Sequence, residues 1–320
     1  ANGAVANSAW LPHFYLMLRE RFQIQVNPLI TRTNIQVLSA QIDFFVNDHL
    51  MISAGRFYSP LGFYPEKLHT SWVTKTPDTP LLFQQIYPFL LSFNGIQFRG
   101  GRYIGNWPVK LEYSGIATNG MSLDLDETPT EFDFANFNPV RTTFREVNND
   151  KGYGGRLGLS FPTLGVIIGA SALANGAYEP TGQEDLTFID FDANFHRGNW
   201  DVRFEYARVD QQTPFGPIDR QGYYLQAAYR NYQSVHPFWG KLEGVARYDW
   251  VDFDGIDLAT TGLDFGTRER IPIDRERYTA GLNYYFYPTL ILKLAYEFNN
   301  EREFIELDDD GFLAQLTLGF

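Results

Sequence analysis

The side chains that could carry out acid–base, nucleophilic or metal chemistry are scattered along this chain and form no recognisable catalytic set. The five histidines all lie outside the predicted strands: His13, His49, His69, His196 and His236. Residues 169–173 match the nucleophile-elbow motif except at its last position, where a leucine replaces the glycine. The chain has no cysteine, which excludes disulfides, thiolate metal sites and covalent c-type haem. We therefore expect no enzyme activity, no catalytic residue and no cofactor.

Two acidic stretches, residues 252–257 and 308–311, carry the oxygen ligands that calcium prefers. Neither has the full ligand set of an EF-hand loop. A solvated acidic turn is the simpler interpretation of each, and we assign no metal ligand.

The composition indicates many strands punctuated by glycine, with aromatic belts. Of the 320 residues, 44% are hydrophobic and 17% aromatic, and 28 are glycine. No apolar run approaches the roughly 18 residues of a membrane helix. The formal net charge of −12 argues against nucleic acid as a partner. The opening Ala-Asn-Gly-Ala is typical of an exported protein after removal of its signal peptide.

The last ten residues, 311–320, show the clearest periodicity. Phe312, Leu316 and Phe320 fall on one face, together with the alanine and leucine between them. A period of two over about ten residues predicts a strand that can cross a bilayer at a tilt. An aromatic final residue is typical of the closing strand of an outer-membrane barrel, where aromatic rings form the interfacial girdle.

The same pattern recurs upstream and predicts about 14 strands, with 16 possible if the loop region contains a further hairpin. The predicted strands span residues 14–26, 34–45, 50–57, 95–103, 108–117, 153–161, 165–173, 184–195, 200–208, 221–230, 239–250, 277–286, 290–298 and 311–320. Short turns alternate with longer polar loops, the longest at 58–91, 118–150 and 251–276. This asymmetry predicts an all-β fold: a transmembrane antiparallel up-and-down β-barrel with short periplasmic turns and long extracellular loops. Residues 1–13 are then a periplasmic lead-in, and residues 14–320 form a single barrel domain.

The two faces of these strands differ in charge. On the face of Phe320, strand 290–298 carries leucines in its middle and Tyr296 and Phe298 at its end. A charge facing the bilayer midplane costs about 2–4 kcal/mol, so a face without charge over many strands is predicted to contact lipid. The opposite face is predicted to line a pore. Its charged residues are Arg99, Lys110, Glu112, Arg156, Asp201, Arg203, Glu205, Arg230, Lys241, Glu243, Arg247, Asp249, Arg277, Lys293 and Glu297.

Barrel size and loop composition together predict a constricted interior. Eight strands just fill their interior with side chains, whereas about 16 leave an aqueous channel. Opposite charges in the wall predict a narrow water-filled pore. Residues 58–91 contain five prolines and show no period, which predicts a loop folded into the mouth as a constriction. A closed lumen bridged by salt bridges is the alternative.

Two segments resemble a known family. Residues 53–62 (Ser-Ala-Gly-Arg-Phe-Tyr-Ser-Pro-Leu-Gly) and 95–101 (Gly-Ile-Gln-Phe-Arg-Gly-Gly) are similar to the phosphate-selective porin O and P family and its broader relatives. The closing hairpin, 277–320, is also similar. The resemblance implies a diffusion channel, and the phosphate-selective members use a dense ladder of inward Arg and Lys. Here the inward basic residues are interleaved with acidic ones, which does not predict phosphate selectivity.

We therefore expect an outer-membrane porin, a passive diffusion channel for small hydrophilic solutes or ions, constricted by loop 58–91. Two other functions remain open: a structural sheath around a partner such as a multihaem cytochrome in an electron conduit, and a surface receptor or adhesin. The expected partners are outer-membrane lipid and lipopolysaccharide, the permeating solutes, and a second copy of the chain or a periplasmic protein. The expected location is the bacterial outer membrane.

Overall fold

The computed structural model describes residues 8–68, 70–88, 91–105, 107–121, 149–176, 184–255, 274–302 and 309–319. Across these ranges the chain forms one 16-stranded antiparallel sheet. Its strands are β1 (Ala9–Trp10), β2 (Phe14–Leu18), β3 (Phe22–Thr31), β4 (Ile35–Asn47), β5 (Leu50–Tyr58), β6 (Ser92–Tyr103), β7 (Lys110–Thr118), β8 (Gly152–Phe161), β9 (Val166–Asn175), β10 (Leu186–Arg197), β11 (Trp200–Gln211), β12 (Ile218–Arg230), β13 (Leu242–Asp254), β14 (Arg275–Tyr287), β15 (Leu290–Glu301) and β16 (Gly311–Leu318). From β3 onward each strand pairs with the next, and β1 and β2 both pair with β3. The predicted antiparallel up-and-down fold is confirmed.

The alternation of side chains along each strand sorts them into a covered and an uncovered face. In β15, Lys293 and Glu297 are buried, whereas Tyr296 and Phe298 are exposed. The covered face surrounds the interior, where residues 59–91 pack against it. The uncovered face is apolar, as expected for strands that contact lipid.

Trp72 of the interior segment lies near residues from both edges of the sheet. A Cβ added to Gly319, just after β16, would lie 3.4 Å from the indole. The ring of His13, just before β2, lies 6.3 Å from the same indole, centroid to centroid. One side chain of the segment is therefore close to residues beside β2 and beside β16.

The amino-terminal part of the sheet differs from the prediction. The predicted strand 14–26 is a hairpin, β2 and β3, which turns at Arg19 with a φ of 56°. The predicted strand end at residue 26 was wrong as well, because β3 passes through a register shift at Asn27-Pro28 and continues to Thr31. Proline lacks a backbone donor, and a bulge is where a strand tolerates it. The two strands beyond 14 thus come from this amino-terminal region.

The connections also depart from the strict alternation that the sequence predicts. Most long connections do lie at one end of the sheet and the short turns at the other. At the long-loop end, however, residues 32–34 and 212–217 are short connections, because β3 and β11 extend further than predicted. At the short-turn end, residues 231–241 form an 11-residue connection that closes with a helical turn, Trp239–Lys241. The predicted strand start at 239 was wrong, and β13 begins at Leu242.

Several predictions fall on residues outside the described ranges. They concern Phe320, His69, and the central parts of the loops at 118–150 and 251–276. Within the described ranges, no helix is both long and apolar enough to cross a membrane.

Candidate functional site: the barrel interior and its internal segment

The interior segment, residues 59–91, contains two five-residue π-helical turns, Tyr64–Leu68 and Leu82–Ile86. Its prolines explain why no strand forms there, since each removes a backbone donor that a sheet would need. Gly62, at a φ of 72°, allows the tightest approach to the wall. A Cβ added there would lie 2.7 Å from a carboxylate oxygen of Glu205 and closer still to the Tyr87 hydroxyl.

The apolar head of the segment packs against the wall at the long-loop end. Leu61, Leu81, Leu82 and Ile86 are at most 1% exposed. They belong to one hydrophobic cluster with inward-facing wall residues: Phe57, Phe93, Ile116, Leu173, Leu186, Phe188, Ala207, Val209, Ile218, Tyr224 and Val251. Burying a Leu or Ile side chain stabilises by about 1.5–3 kcal/mol. This head therefore holds the segment firmly inside the sheet.

Glu205 of β11 anchors the head through its carboxylate. It accepts hydrogen bonds from the Phe63 amide (2.7 Å), the Tyr87 hydroxyl (2.6 Å) and the Tyr224 hydroxyl (3.0 Å). The Tyr87 hydroxyl also lies 2.9 Å from Asp190 of β10. Burial, together with these carboxylates, raises the pKa of Tyr87 well above its usual value. The phenol is therefore a permanent donor between two strands of the wall.

A second anchor joins Asp78 of the segment to Arg247 of β13. The guanidinium pairs with Asp78 and donates to Thr76 Oγ1 (2.6 Å) and to Asp249 (2.6 Å). Asp249 in turn accepts the Leu81 amide at 3.0 Å. Burial alone would raise the pKa of Asp78, but the charge of Arg247 outweighs it and holds that pKa at about 2.

A third anchor lies nearer the short-turn end. Lys293 of β15 donates to the carbonyl oxygens of Ser71 and Thr74 and to the Thr74 hydroxyl (2.9 Å). Lys75 of the segment pairs with Glu243 of β13 at 2.7 Å. Together the three anchors attach the segment to β10–β15.

Open space remains on the other side of the segment, against β6–β11 and toward the short turns. One cavity of about 360 Å³ is lined by Arg99, Lys110 and Arg156 of the wall and by Glu66 and Lys67 of the segment. A second, of about 380 Å³, lies between the segment and the β8–β9 and β10–β11 turns. Phe63, Lys67 and Ile167 line both, so the two cavities adjoin.

The structure places the predicted pore-lining residues in three environments. Eight are buried: Arg203, Glu205, Glu243, Arg247, Asp249, Arg277, Lys293 and Glu297. Six are half-buried: Arg99, Lys110, Glu112, Arg156, Asp201 and Arg230. The inward strand placement of Lys241 was wrong. This lysine is exposed on the turn before β13 and donates to the Phe286 carbonyl.

The sequence reasoning missed the partners that the segment contributes to this site. Tyr87, Asp78 and Lys75 lie in a stretch without period, so no pattern assigns them a face. The prediction that every histidine lies outside the strands was also wrong in one case, because β10 includes His196. That histidine lies 3.5 Å from Asp201 at the short-turn rim.

Comparisons with known proteins identify the fold. A scan of protein-family models found no match to this chain, and a search of curated proteins found none. Among solved structures, OmpF of Salmonella typhi, in complex with daunomycin, matches with a TM-score of 0.56 and 13% identity, covering 97% of this chain and 88% of OmpF. The outer membrane channel DcaP of Acinetobacter baumannii matches at 0.53 and 9% identity, covering 95% and 80%. The trimer form of OmpT, an outer membrane protein of Vibrio cholerae, matches at 0.51 and 10% identity, covering 98% and 92%.

These neighbours define the class of fold: the chain has the architecture of an outer-membrane porin β-barrel. At 9–13% identity they show the fold alone. Membership of the phosphate-selective porin O and P family is not shown.

Proposed function

We propose that the protein is a channel of the bacterial outer membrane that passes small hydrophilic solutes or ions, and that residues 59–91 form its constriction. The observation that carries the proposal is that the segment is held mainly from one side. Most of its polar contacts run to β10–β15, through Glu205, Arg247 and Lys293, whereas Arg99 of β6 and Ser171 of β9 hold it beside the cavities along β6–β11. A constriction held mainly by one wall leaves room for a passage along the other, where charged side chains set the local field.

The charges beside the cavities do not favour phosphate as the solute. Arg99 pairs with Glu66, Lys110 pairs with Glu112 at 2.9 Å, and Arg156 pairs with Asp192 at 2.7 Å. A dense cationic ladder would instead leave such groups available to a multiply charged anion. We therefore propose a channel of weak ionic selectivity that has no enzymatic function.

A sheath around a cytochrome is less well supported, because the chain's own segment occupies the interior that a partner would need. Lipid and lipopolysaccharide are the proposed surroundings of the outer face, and a homo-oligomer is the proposed assembly. We propose that the short turns lie on the periplasmic side, which would direct the cavities toward the periplasm.

Reconstitution into planar lipid bilayers tests the channel. The purified protein should give discrete conductance steps, and their absence would refute the proposal. Replacing residues 61–87 with a short Gly-Ser linker should raise the single-channel conductance severalfold. Replacing residues 212–217 in the same way is the matched control, because this connection lies at the rim and makes none of the three anchors. Equal conductance in both variants would show that residues 59–91 are not the constriction.

A further inference from the structure

The two adjoining cavities form one vestibule with two chemically different chambers. The first contains charged groups from both the wall and the segment, whereas most side chains of the second are apolar, such as Phe63, Leu68, Val73 and Ile167. The second chamber also contains His196 and the Asp201–Arg203 ion pair, whose charges offset each other. Sites of a few hundred Å³ that combine an apolar wall with a few placed polar groups are typical of small-molecule binding. Lys67 lies where the two chambers join.

The charged chamber has one more basic group than acidic partners. Lys67, Arg99, Lys110 and Arg156 face three carboxylates, those of Glu66, Glu112 and Asp192. Arg99, Lys110 and Arg156 each have a close carboxylate. Lys67 shares Glu66 with Arg99, and its Nζ lies 3.9 Å from the nearer Glu66 carboxylate oxygen.

Exposure makes Lys67 accessible to a ligand. Its side chain is 45% exposed, and a long, exposed pair of this kind contributes little stability. An anion that entered the vestibule would therefore meet Lys67 without breaking a strong interaction. The net excess of one basic group suits a single negative charge better than a phosphate dianion.

The apolar chamber indicates what the rest of such a ligand resembles. Phe63 lines both chambers, and the Arg156 guanidinium lies 6.0 Å from the centre of its ring. Leu68 and Val73 continue the apolar wall from the segment, and Ile167 faces them from β9. A flat or branched hydrocarbon body would bury apolar surface there at about 25 cal/mol per Å².

We propose that this vestibule binds small organic monocarboxylates, with the carboxylate at Lys67 and the apolar body between Phe63 and Ile167. The inference deepens the proposed channel function, on which it rests for the route of the solute. Binding itself does not require conduction, so the two can fail separately. The vestibule then favours an amphipathic anion over an inorganic one, while the channel still passes other small solutes.

Calorimetric titration of the full chain in lipid nanodiscs tests the site with benzoate as the probe. Benzyl alcohol has a similar body without the charge, and acetate has the charge without the body. Benzoate should bind at least about tenfold more tightly than either. Equal binding of benzyl alcohol would refute a role for the charge, and equal binding of acetate would refute the apolar chamber.

Substitutions locate the site. Lys67→Gln should weaken benzoate binding about tenfold, and Lys67→Arg should retain it. Lys241→Gln removes the same charge from an exposed turn away from the vestibule and should change nothing. Ile167→Ala should weaken benzoate binding severalfold without affecting acetate. Unchanged benzoate affinity in Lys67→Gln overturns the proposal. Should that variant not fold, as judged by heat-modifiable migration in gels, the three-ligand comparison on the unmodified protein decides.

These measurements separate the site from the channel. A protein that binds benzoate through Lys67 but shows no conductance steps would refute the channel and leave the site. A protein that conducts but does not bind benzoate would refute the binding site and leave the channel.

Discussion

Asp78 offers the sharpest test of how the interior segment is held. Asp78→Asn keeps the size of the side chain and removes its charge. It weakens the ion pair with Arg247 and the longer contact with Arg277, at 3.4 Å. Arg247 keeps Asp249 at 2.6 Å, so the substitution does not leave the guanidinium without a counter-charge. The hydrophobic head of the segment is untouched.

The charge-assisted hydrogen bond sets the size of the effect. A hydrogen bond to a charged group contributes about 1.5–3 kcal/mol. The depressed pKa of Asp78 has the same sign, because, against the opposing effect of burial, the charge of Arg247 and the hydrogen bonds with Glu297 and Arg247 favour its ionised form. If the segment moves as a unit between docked and undocked states, about 2 kcal/mol raises the undocked fraction roughly thirtyfold.

Single-channel recording in planar bilayers measures this shift. The variant should open more often or dwell longer in high-conductance states than the unmodified protein, and cleavage within residues 59–91 by added protease should be faster. Asp48→Asn is the matched control, since Asp48 is an exposed residue of the short turn between β4 and β5.

Unchanged gating and unchanged protease sensitivity in Asp78→Asn would refute the idea that this anchor governs docking. Equal changes in Asp48→Asn would do the same, because they would assign the effect to net charge. The result would then place the holding force in the apolar head alone.

Three further predictions concern pH, the Tyr87 hydroxyl and the outer face. The pKa of Asp78 is depressed in the docked state, so its stabilisation of that state is complete above about pH 4 and is lost as the pH falls through about 2. Channel openings should therefore increase on acidification. This increase should be weaker in Asp78→Asn. Tyr87→Phe removes the donor shared by Asp190 and Glu205 and should lower the free energy of unfolding by about 1–3 kcal/mol in urea titrations, whereas Tyr103→Phe at an exposed site should not. Leu282→Arg, on the uncovered face of β14, should destabilise the membrane-inserted protein by about 2–4 kcal/mol. Tyr278→Arg, nearer the strand end, should cost less. The opposite order would contradict the assignment of Leu282 to the bilayer midplane.

The fold followed from the sequence because one rule acts over the whole barrel. Alternation of Lys293 and Glu297 with Tyr296 and Phe298 fixes the face of every residue between them, and pairing transfers that assignment to the next strand. The strand ends followed less well. At Arg19 a hairpin turn uses a left-handed backbone conformation that arginine seldom adopts, and at Pro28 a bulge carries the strand past its usual stop.

The candidate site was only half predictable for a related reason. Wall residues such as Glu205 and Arg247 have a period, so the sequence identifies them as inward. Their partners Tyr87 and Asp78 lie in a stretch where long-range packing, and not a local repeat, determines position. No pattern in the sequence shows which charged side chain of the wall each will meet.

The position of Trp72 has a consequence for assembly. This indole lies near residues beside β2 and β16, so we expect the segment that carries it to be in place when these two edges of the sheet approach each other. Insertion of the segment and association of the first and last parts of the sheet are then expected to occur together during biogenesis. A smaller side chain in place of Trp72 should slow the final association of the two sheet edges. An incompletely closed intermediate should then accumulate on the folding machinery, even though each strand can still form.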